Sequence, residues 1–281
     1  MIGRLVDGIE GVRFNPEGFM SSKLALIGPG NLAHSLVPAL QAAGHDLRQV
    51  LSRRAETARA FGARFGIAQV GDLHAPLDAS VEVVLLTVPD QAIAPLARDL
   101  AARATTAPIF VHTSGSTPLS ALAPLGPRVG VLYPLQMFTR HRQVNFAELP
   151  LFLEGSDAVL ATLDPLARSL SRHVHQLDST ARLRMHLGAV IACNFSNYLL
   201  QMAEAQLDAQ PELDISVYAP LLQEQLRRVF ELGPRYTQTG PAIRGDHNTM
   251  QQHLALLADQ PELAELYRTL SALINPDLRK G

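Results

Sequence analysis

The chain has 281 residues, of which 47% are hydrophobic, so it is long enough for one large or two ordinary domains and too apolar to be disordered. Its net charge of −2 argues against a nucleic-acid-binding surface. With Cys193 as its single cysteine it can form no internal disulfide, which favours a reducing, cytoplasmic location. Residues 1–21 lack the apolar core of a signal peptide and are expected to form a flexible N-terminal arm.

Short apolar runs alternate with helical patterns from Lys23 to about Leu177, which predicts parallel βαβ units. The predicted strands are residues 24–27, 47–52, 81–88, 109–113 and 129–133, and residues 151–153 and 174–177 flank another helix and could extend the sheet. The predicted helices in this part are residues 31–43, 55–61 and 91–103. Gly44 is expected to end the first helix, and Pro38 within it should remove one hydrogen bond.

The pattern changes after Asp178, where no strand-like run follows. Four helices are predicted there, at residues 182–206, 217–232, 248–258 and 262–274. The predicted fold class is therefore an α/β Rossmann domain with a mostly parallel, doubly wound sheet, followed by an all-α C-terminal domain. We place the first domain at residues 22–178 and the second, for substrate binding or dimerisation, at residues 179–281.

A glycine-rich turn links the first predicted strand to the first predicted helix. It is formed by Gly28, Pro29, Gly30, Asn31, Leu32 and Ala33 and has the form G-x-G-x-x-A. In a dinucleotide-binding unit the first glycine permits the tight turn, the second lets the backbone approach a pyrophosphate, and the small third residue lets helix and strand pack closely. The turn predicts a dinucleotide cofactor, bound at the positive end of the helix.

The end of the second predicted strand indicates which dinucleotide is bound. NAD-preferring enzymes usually carry an acid there for the ribose 2′-hydroxyl, whereas this chain has Ser52, Arg53 and Arg54. A hydroxyl and guanidinium groups suit a 2′-phosphate, so NADP is predicted over NAD. The alternative is that both arginines are simply solvated at the start of a helix.

Further cofactor contacts are expected where other parallel strands end, because ligands bind outside the carboxyl ends of strands in such folds. The residues at these ends are Val88, Pro89, Asp90 and Thr113. His112 also lies at a strand end, where a lone histidine is more often structural than ligand-binding.

Six motifs together resemble a family that joins a Rossmann-like NADP-binding domain to a C-terminal helical domain of unknown function. They are Gly28-Pro-Gly-Asn-Leu-Ala33, Thr87-Val-Pro-Asp90, His112-Thr-Ser-Gly115, Tyr133-Pro-Leu-Gln136, Cys193-Asn-Phe-Ser-Asn197 and Gly240-Pro-Ala-Ile-Arg-Gly-Asp246. The wider group includes pyrroline-5-carboxylate reductases, prephenate dehydrogenases and deazaflavin-dependent NADP reductases. The resemblance covers residues 22 to about 274 and implies an NADP-binding oxidoreductase, but it does not identify the substrate.

The chain departs from its relatives at two catalytic positions. Where prephenate dehydrogenases carry a His-Pro pair, it has Tyr133-Pro134, and a tyrosine does not titrate near neutral pH. Related β-hydroxyacid dehydrogenases use a lysine four residues before an asparagine, and here Val190 precedes Asn194. Four polar residues are the catalytic candidates: Tyr133, Gln136, Asn194 and Arg244. No metal site is predicted, because the ten histidines show no ligand spacing such as HExxH.

These observations predict an NADP-dependent oxidoreductase that transfers hydride to or from a small carbonyl or imine compound. The alternative is a non-catalytic NADP-binding sensor or assembly module. Residues 187–203 carry no charge, yet they are too short and too polar for a membrane span, so they predict a buried helix. Such a helix must be covered on all sides, which predicts a homodimer through the helical domain, with burial inside one subunit as the alternative. Neither a nucleic-acid nor a membrane partner is expected.

Overall fold

The structure is a computed structural model that describes residues 21–103, 108–140, 142 and 144–279. Residues 1–20 of the predicted N-terminal arm lie outside this range. The chain divides into two compact units, the first ending at Ala189 and the second beginning at Val190. The boundary that we predicted near Asp178 lies before this division, just after the last strand of the sheet. Each unit is described by itself below.

The first unit contains an eight-stranded sheet flanked by helices. Its strands are β1 (Lys23–Ile27), β2 (Asp46–Ser52), β3 (Gln69–Asp72), β4 (Val83–Leu86), β5 (Ile109–His112), β6 (Val129–Pro134), β7 (Leu151–Gly155) and β8 (Val174–Gln176). Its helices are α1 (Asn31–Ala42), α2 (Ala55–Phe65), α3 (Asp90–Ala101), α4 (Asp157–Leu170) and α5 (Ser179–Ala189).

The strand order is β3-β2-β1-β4-β5-β6-β7-β8. Strands β1 to β6 pair in parallel, β7 is antiparallel to β6, and β8 is parallel to β7. The chain order reverses at β1, whose neighbours are β2 and β4. The predicted Rossmann class, with a mostly parallel sheet followed by helices, is confirmed.

The central strands are buried on both faces, as near-continuous apolar runs predict. In β1, Leu24 and Leu26 pack into one hydrophobic core, while Ala25 and Ile27 pack into another. Successive side chains of a strand point to opposite faces, so a single strand contributes to the helix layers on both sides of the sheet.

Sequence patterns missed the edge strand β3, in which no residue is fully buried. A strand that packs little apolar surface carries little periodic signal. The helix α2 also continues one turn beyond its predicted end at residue 61, to Phe65. It stops at Gly66, which has a φ of 69°. The first helix ends as predicted, and Gly44 follows it with a φ of 86°.

The regular elements that the structure describes in the second unit are all helices. The predicted helix at residues 182–206 is in fact α5 of the first unit, then a π-helical segment (Val190–Phe195), then α6 (Ser196–Ala205). The other helices of the unit are α7 (Ala219–Leu232), α8 (Pro241–Arg244), α9 (His247–Leu256) and α10 (Pro261–Ile274). No helix in the described ranges is long and apolar enough to cross a membrane.

Several large side chains of the uncharged helical stretch are exposed in the single chain. They are Leu187 56%, Ile191 53%, Phe195 58%, Tyr198 53% and Leu199 40%. Apolar residues of α7, such as Leu221 and Phe230, are exposed as well.

Candidate functional site: the carboxyl edge of the sheet

The turn after β1 requires a glycine at its first position. Gly28 has a φ of 96°, and a Cβ there would lie 2.6 Å from Cγ1 of Val88. The Thr87 hydroxyl donates a 2.6 Å hydrogen bond to the Gly28 carbonyl oxygen. The turn is therefore held against the end of β4 with no room for a side chain, and the positive φ agrees with the tight turn predicted for Gly28.

The first turn of α1 offers its backbone N–H groups to a ligand. Gly30 occupies the N-cap position but has no side chain to cap the helix, no other side chain accepts from the first turn, and that turn carries no acid. A Cβ at Gly30 would meet nothing closer than 3.7 Å, so the space is open on the protein side. Unpartnered N–H groups and the positive end of a 12-residue helix fit a pyrophosphate.

The end of β2 presents the residues predicted to choose between the dinucleotides. Ser52 is buried, whereas Arg53 and Arg54 are exposed, and within the described residues their guanidinium groups make no hydrogen bond or ion pair. Asp72 of β3 pairs in register with Ser52, but its Oδ1 already accepts from the N–H groups of His74 and Ala75. The Asp72 carboxylate is thus already engaged in hydrogen bonds, whereas the guanidinium groups of Arg53 and Arg54 are available to a ligand.

The remaining predicted cofactor residues follow β4 and β5. Val88, Pro89 and Asp90 connect β4 to α3, and Thr113 follows β5, donating to the Leu86 carbonyl oxygen at 3.3 Å. Asp90 accepts a 2.6 Å hydrogen bond from the Ser116 hydroxyl, which ties the two loops together. Because β2, β1, β4 and β5 are adjacent and parallel, all the predicted cofactor residues lie at one edge of the sheet.

His112, at the end of β5, is fully buried and structural in its contacts. Its Nδ1 accepts from the Ser114 N–H at 3.2 Å, while its Nε2 has no partner in the described structure. Burial, followed by the positive charge of Arg182, lowers its pKa to about 4. The imidazole is thus neutral at physiological pH and orders the turn that follows β5.

The catalytic candidate Tyr133 lies at the carboxyl end of β6 and meets a residue that the candidate set omitted. Its hydroxyl lies 3.2 Å from Nδ1 of His186, which α5 supplies from 53 positions further along the chain. Burial and the charge of Asp90 raise the pKa of Tyr133, and Arg182 opposes them. Sequence patterns give no sign of this contact, because nothing local links His186 to β6.

A buried ion pair fixes α5 to the sheet. Arg182 is 1% exposed and pairs with Glu154 of β7. It also donates to the Thr117 carbonyl oxygen at 2.5 Å, and the Ser179 hydroxyl lies 2.8 Å from Glu154. Since the ion pair is one helical turn before His186, it holds that imidazole beside Tyr133.

The other catalytic candidates have more open surroundings. Gln136 follows β6 in the first unit, is exposed, and accepts from the Met137 N–H. Asn194 and Arg244 belong to the second unit and are both exposed. Next to Arg244, Asp246 caps α9 by accepting from the Thr249 N–H at 3.1 Å, so this acid has a structural role.

The second unit also contains an open cavity of about 490 Å³ between α6, α9 and α10. Its wall is mostly aliphatic and includes one polar pair, in which Nδ1 of His253 lies 2.9 Å from the Tyr267 hydroxyl. None of the predicted site residues lines it. Among the described residues, no group of three or more histidine, cysteine or acidic side chains could hold a metal ion.

A parallel sheet whose glycine turn leads into an uncapped helix, with arginines at the end of the next strand, defines a dinucleotide-binding oxidoreductase fold. Comparison with known proteins agrees. Residues 23–114 match the family "NADP oxidoreductase coenzyme F420-dependent", and residues 149–274 match the "Domain of unknown function (DUF2520)". No relative among the curated proteins matches the chain.

Solved structures show the same architecture over nearly the whole chain. A Bacteroides fragilis protein assigned as an NADP oxidoreductase is 37% identical, with a TM-score of 0.81, covering 91% of this chain and 98% of that one. A reductive aminase from Aspergillus terreus, in complex with NADPH and ethyl levulinate, is 16% identical, with a TM-score of 0.66 and coverage of 93% and 95%. A pyrroline-5-carboxylate reductase from Coxiella burnetii is 16% identical, with a TM-score of 0.55 and coverage of 93% and 98%.

The chain therefore belongs to the family that joins an N-terminal NADP oxidoreductase domain to a C-terminal DUF2520 domain. The resemblance drawn from the sequence motifs is confirmed. The two more distant structures share the fold.

Proposed function

We propose that the protein is an NADP-dependent oxidoreductase that reduces, or in reverse forms, a small carbonyl or imine compound. The turn at Gly28, held against β4 in front of the uncapped end of α1, is the observation that carries this proposal. The first turn of α1 would hold the pyrophosphate, and the loops after β4 and β5 would hold the ribose and nicotinamide. The bound cofactor supplies hydride, and the protein must then orient the substrate and supply or remove a proton.

The preference for NADP over NAD is part of the proposal. Arg53 and Arg54 are exposed and free of other partners in the described structure, so they are available to a 2′-phosphate. Calorimetry with NADPH and NADH tests this directly. We expect replacement of both arginines by alanine to weaken NADPH by about 10- to 100-fold, or about 1.4–2.8 kcal/mol, and to leave NADH unchanged.

The matched control replaces Arg59 and Arg64 by alanine. Both are exposed on α2, so the change in net charge is the same, but neither lies at the end of β2. If both double variants weakened NADPH equally, the effect would be one of overall charge and the 2′-phosphate assignment would be wrong. Tighter binding of NADH than of NADPH by the unaltered protein would also contradict it.

Turnover distinguishes an enzyme from the alternative of a nucleotide-binding sensor. The sensor is favoured by Val190, which stands where related β-hydroxyacid dehydrogenases carry a lysine. The reductive aminase and pyrroline-5-carboxylate reductase structures favour imines and ketones as substrates. The test is NADPH oxidation with 1-pyrroline, ethyl levulinate plus methylamine, and a set of keto acids. Stoichiometric NADPH binding with no oxidation across this set would support the sensor.

We also propose a homodimer formed through the helical domain, in the cytoplasm. The exposed apolar residues of the stretch from Leu187 to Leu199 are the support for the dimer, since such side chains gain about 25 cal/mol for each Å² removed from water. The cytoplasmic location rests on the single cysteine. We expect light scattering to give about twice the chain mass of 30.5 kDa. A clean monomer would refute the dimer.

A charge in the exposed stretch tests where the subunits meet. Leu199→Glu should dissociate the dimer because it places a carboxylate in the proposed interface. Ala209→Glu adds the same charge at an exposed position after α6 and should leave the mass unchanged. Equal masses for the two variants would place the interface elsewhere.

A further inference from the structure

Tyr133 and His186 form a pair with one buried and one more open member. The phenol of Tyr133 is 8% exposed, at the end of β6, and the imidazole of His186 is half-buried on α5. The Tyr133 hydroxyl lies 3.2 Å from His186 Nδ1, and the two ring planes meet at 73°. Since Nδ1 faces the phenol, it is the ring nitrogen that can exchange a proton with the Tyr133 hydroxyl.

The loop after β5 is shaped to admit this pair. A Cβ at Gly115 would lie 2.7 Å from His186 Nδ1 and 2.9 Å from the Tyr133 hydroxyl oxygen. Only a residue without a side chain therefore fits over the two hydrogen-bonded atoms. Because Gly115 follows Thr113, the pair adjoins a loop that we predict to contact the cofactor.

The charges around the pair keep the phenol protonated. Burial and, after it, the charge of Asp90 raise the pKa of Tyr133, so the hydroxyl carries its proton at neutral pH. Arg182 opposes this shift but is itself paired with Glu154. After giving up its proton, a phenol in these surroundings needs a neighbour that exchanges protons near neutral pH, and imidazole is the side chain that does so.

We propose that Tyr133 protonates the substrate and that His186 restores the proton to Tyr133, an inference that rests on the proposed oxidoreductase function. In the reduction of a C=N or C=O bond, the substrate carbon takes hydride from NADPH, and its nitrogen or oxygen takes the phenol proton. The phenolate then takes the Nδ1 proton of the His186 imidazolium. The neutral imidazole, which keeps its proton on Nε2, is protonated again at Nδ1 by acid from the solvent, and this proton balances the one that the reduction consumes. Tyr133 is the catalytic residue, and His186 acts through it as a relay and positioning residue.

The direction of the hydrogen bond gives this relay a pH dependence. When His186 is neutral, its unprotonated Nδ1 accepts a hydrogen bond from the phenol O–H, so that the phenol hydrogen is not directed at the substrate. When His186 is charged, Nδ1–H donates to the phenol oxygen and frees the phenol proton. Reduction should therefore slow as pH rises and the charged form of His186 is lost, whereas the reverse oxidation should speed up.

The first test needs no substrate. In protein labelled with ¹⁵N-histidine, we expect neutral His186 to carry its proton on Nε2, and Tyr133→Phe to remove that preference. A neutral His186 that carries its proton on Nδ1 in the unaltered protein would overturn the relay. This readout remains valid even where a variant at His186 folds poorly.

The second test is the pH profile of NADPH oxidation with 1-pyrroline or ethyl levulinate plus methylamine. Tyr133→Phe should lower kcat by about 100-fold or more. His186→Gln should lower kcat by about tenfold and abolish the fall at high pH. His175→Gln, the same change at an exposed histidine of β8, is the control and should keep the normal profile.

The outcomes separate this inference from the proposed function. Unaltered rate and pH profile in His186→Gln, with NADPH binding retained, would overturn the relay alone. NADPH binding without oxidation of any probe by the unaltered protein would overturn the proposed reaction and the relay with it.

Discussion

Replacement of Arg182 by methionine should strongly destabilise the first unit. Arg182 is 1% exposed and its partner Glu154 is 15% exposed, so the change leaves a largely buried carboxylate without its cation. Breaking a buried pair in this way costs about 3–5 kcal/mol. The lower end applies here, because the Ser179 hydroxyl still lies within hydrogen-bonding distance of both Glu154 oxygens. We expect a loss of about 3 kcal/mol.

Native-state hydrogen exchange of amides in β6 and β7 is the assay, because it reports the unfolding of this unit separately from the second. A loss of about 3 kcal/mol corresponds to roughly 150-fold faster exchange. The control is Arg168→Met, which removes an exposed arginine that pairs with Asp164 on α4. Exposed pairs of this kind contribute about 0.3–0.5 kcal/mol, so exchange there should change by about twofold.

Two results would refute the reasoning. One is exchange in Arg182→Met no faster than in the control, which would mean that the buried pair adds no net stability. The other concerns the double variant Arg182→Met with Glu154→Leu, which removes both charges and should recover much of the loss. A double variant as unstable as the single one would show that the lost packing of the arginine side chain, rather than an unpaired carboxylate, causes the effect.

Two further predictions concern the turn after β1 and the buried histidine. Gly28→Ala should abolish NADPH binding and lower the free energy of unfolding by about 1–3 kcal/mol, because it combines a φ of 96° with a contact of 2.6 Å to Val88. The control Gly44→Ala, with a φ of 86° and no atom within 4 Å, should cost about 1 kcal/mol and keep NADPH binding. Equal effects of the two variants on NADPH binding would contradict the role of the turn. The pKa of His112 is lowered to about 4 in the folded protein, so between pH ~6.5 and about 4 the unfolded chain binds a proton at this histidine that the folded chain does not. The free energy of unfolding should therefore fall by about 3 kcal/mol as pH drops from ~6.5 to about 4. In His112→Asn the free energy of unfolding, measured by urea denaturation, should lose this part of its pH dependence. The part due to His45, whose pKa is also lowered by burial, should remain. An unchanged dependence of the unfolding free energy on pH would contradict the assignment to His112.

Local patterns were sufficient for the central strands of the sheet and for placing the candidate cofactor residues at one edge of it. The apolar runs of β1, β4 and β5 and the turn between Gly28 and Ala33 are continuous in the sequence, and each has its own steric or hydrophobic requirement. Parallel strands joined by helices must place their carboxyl ends at one edge, so the grouping of Ser52, Val88 and Thr113 follows from the fold class. The short strand β3 was missed because its half-exposed residues show no such pattern.

The sequence by itself determined the fold class and the glycine turn, because backbone sterics and the burial of apolar runs act over a few neighbouring residues. Tertiary structure alone decided the contact between Tyr133 and His186 and the pair of Arg182 with Glu154, whose members are 53 and 28 positions apart. Such contacts depend on how a helix docks against a sheet, and no single segment contains both surfaces that meet.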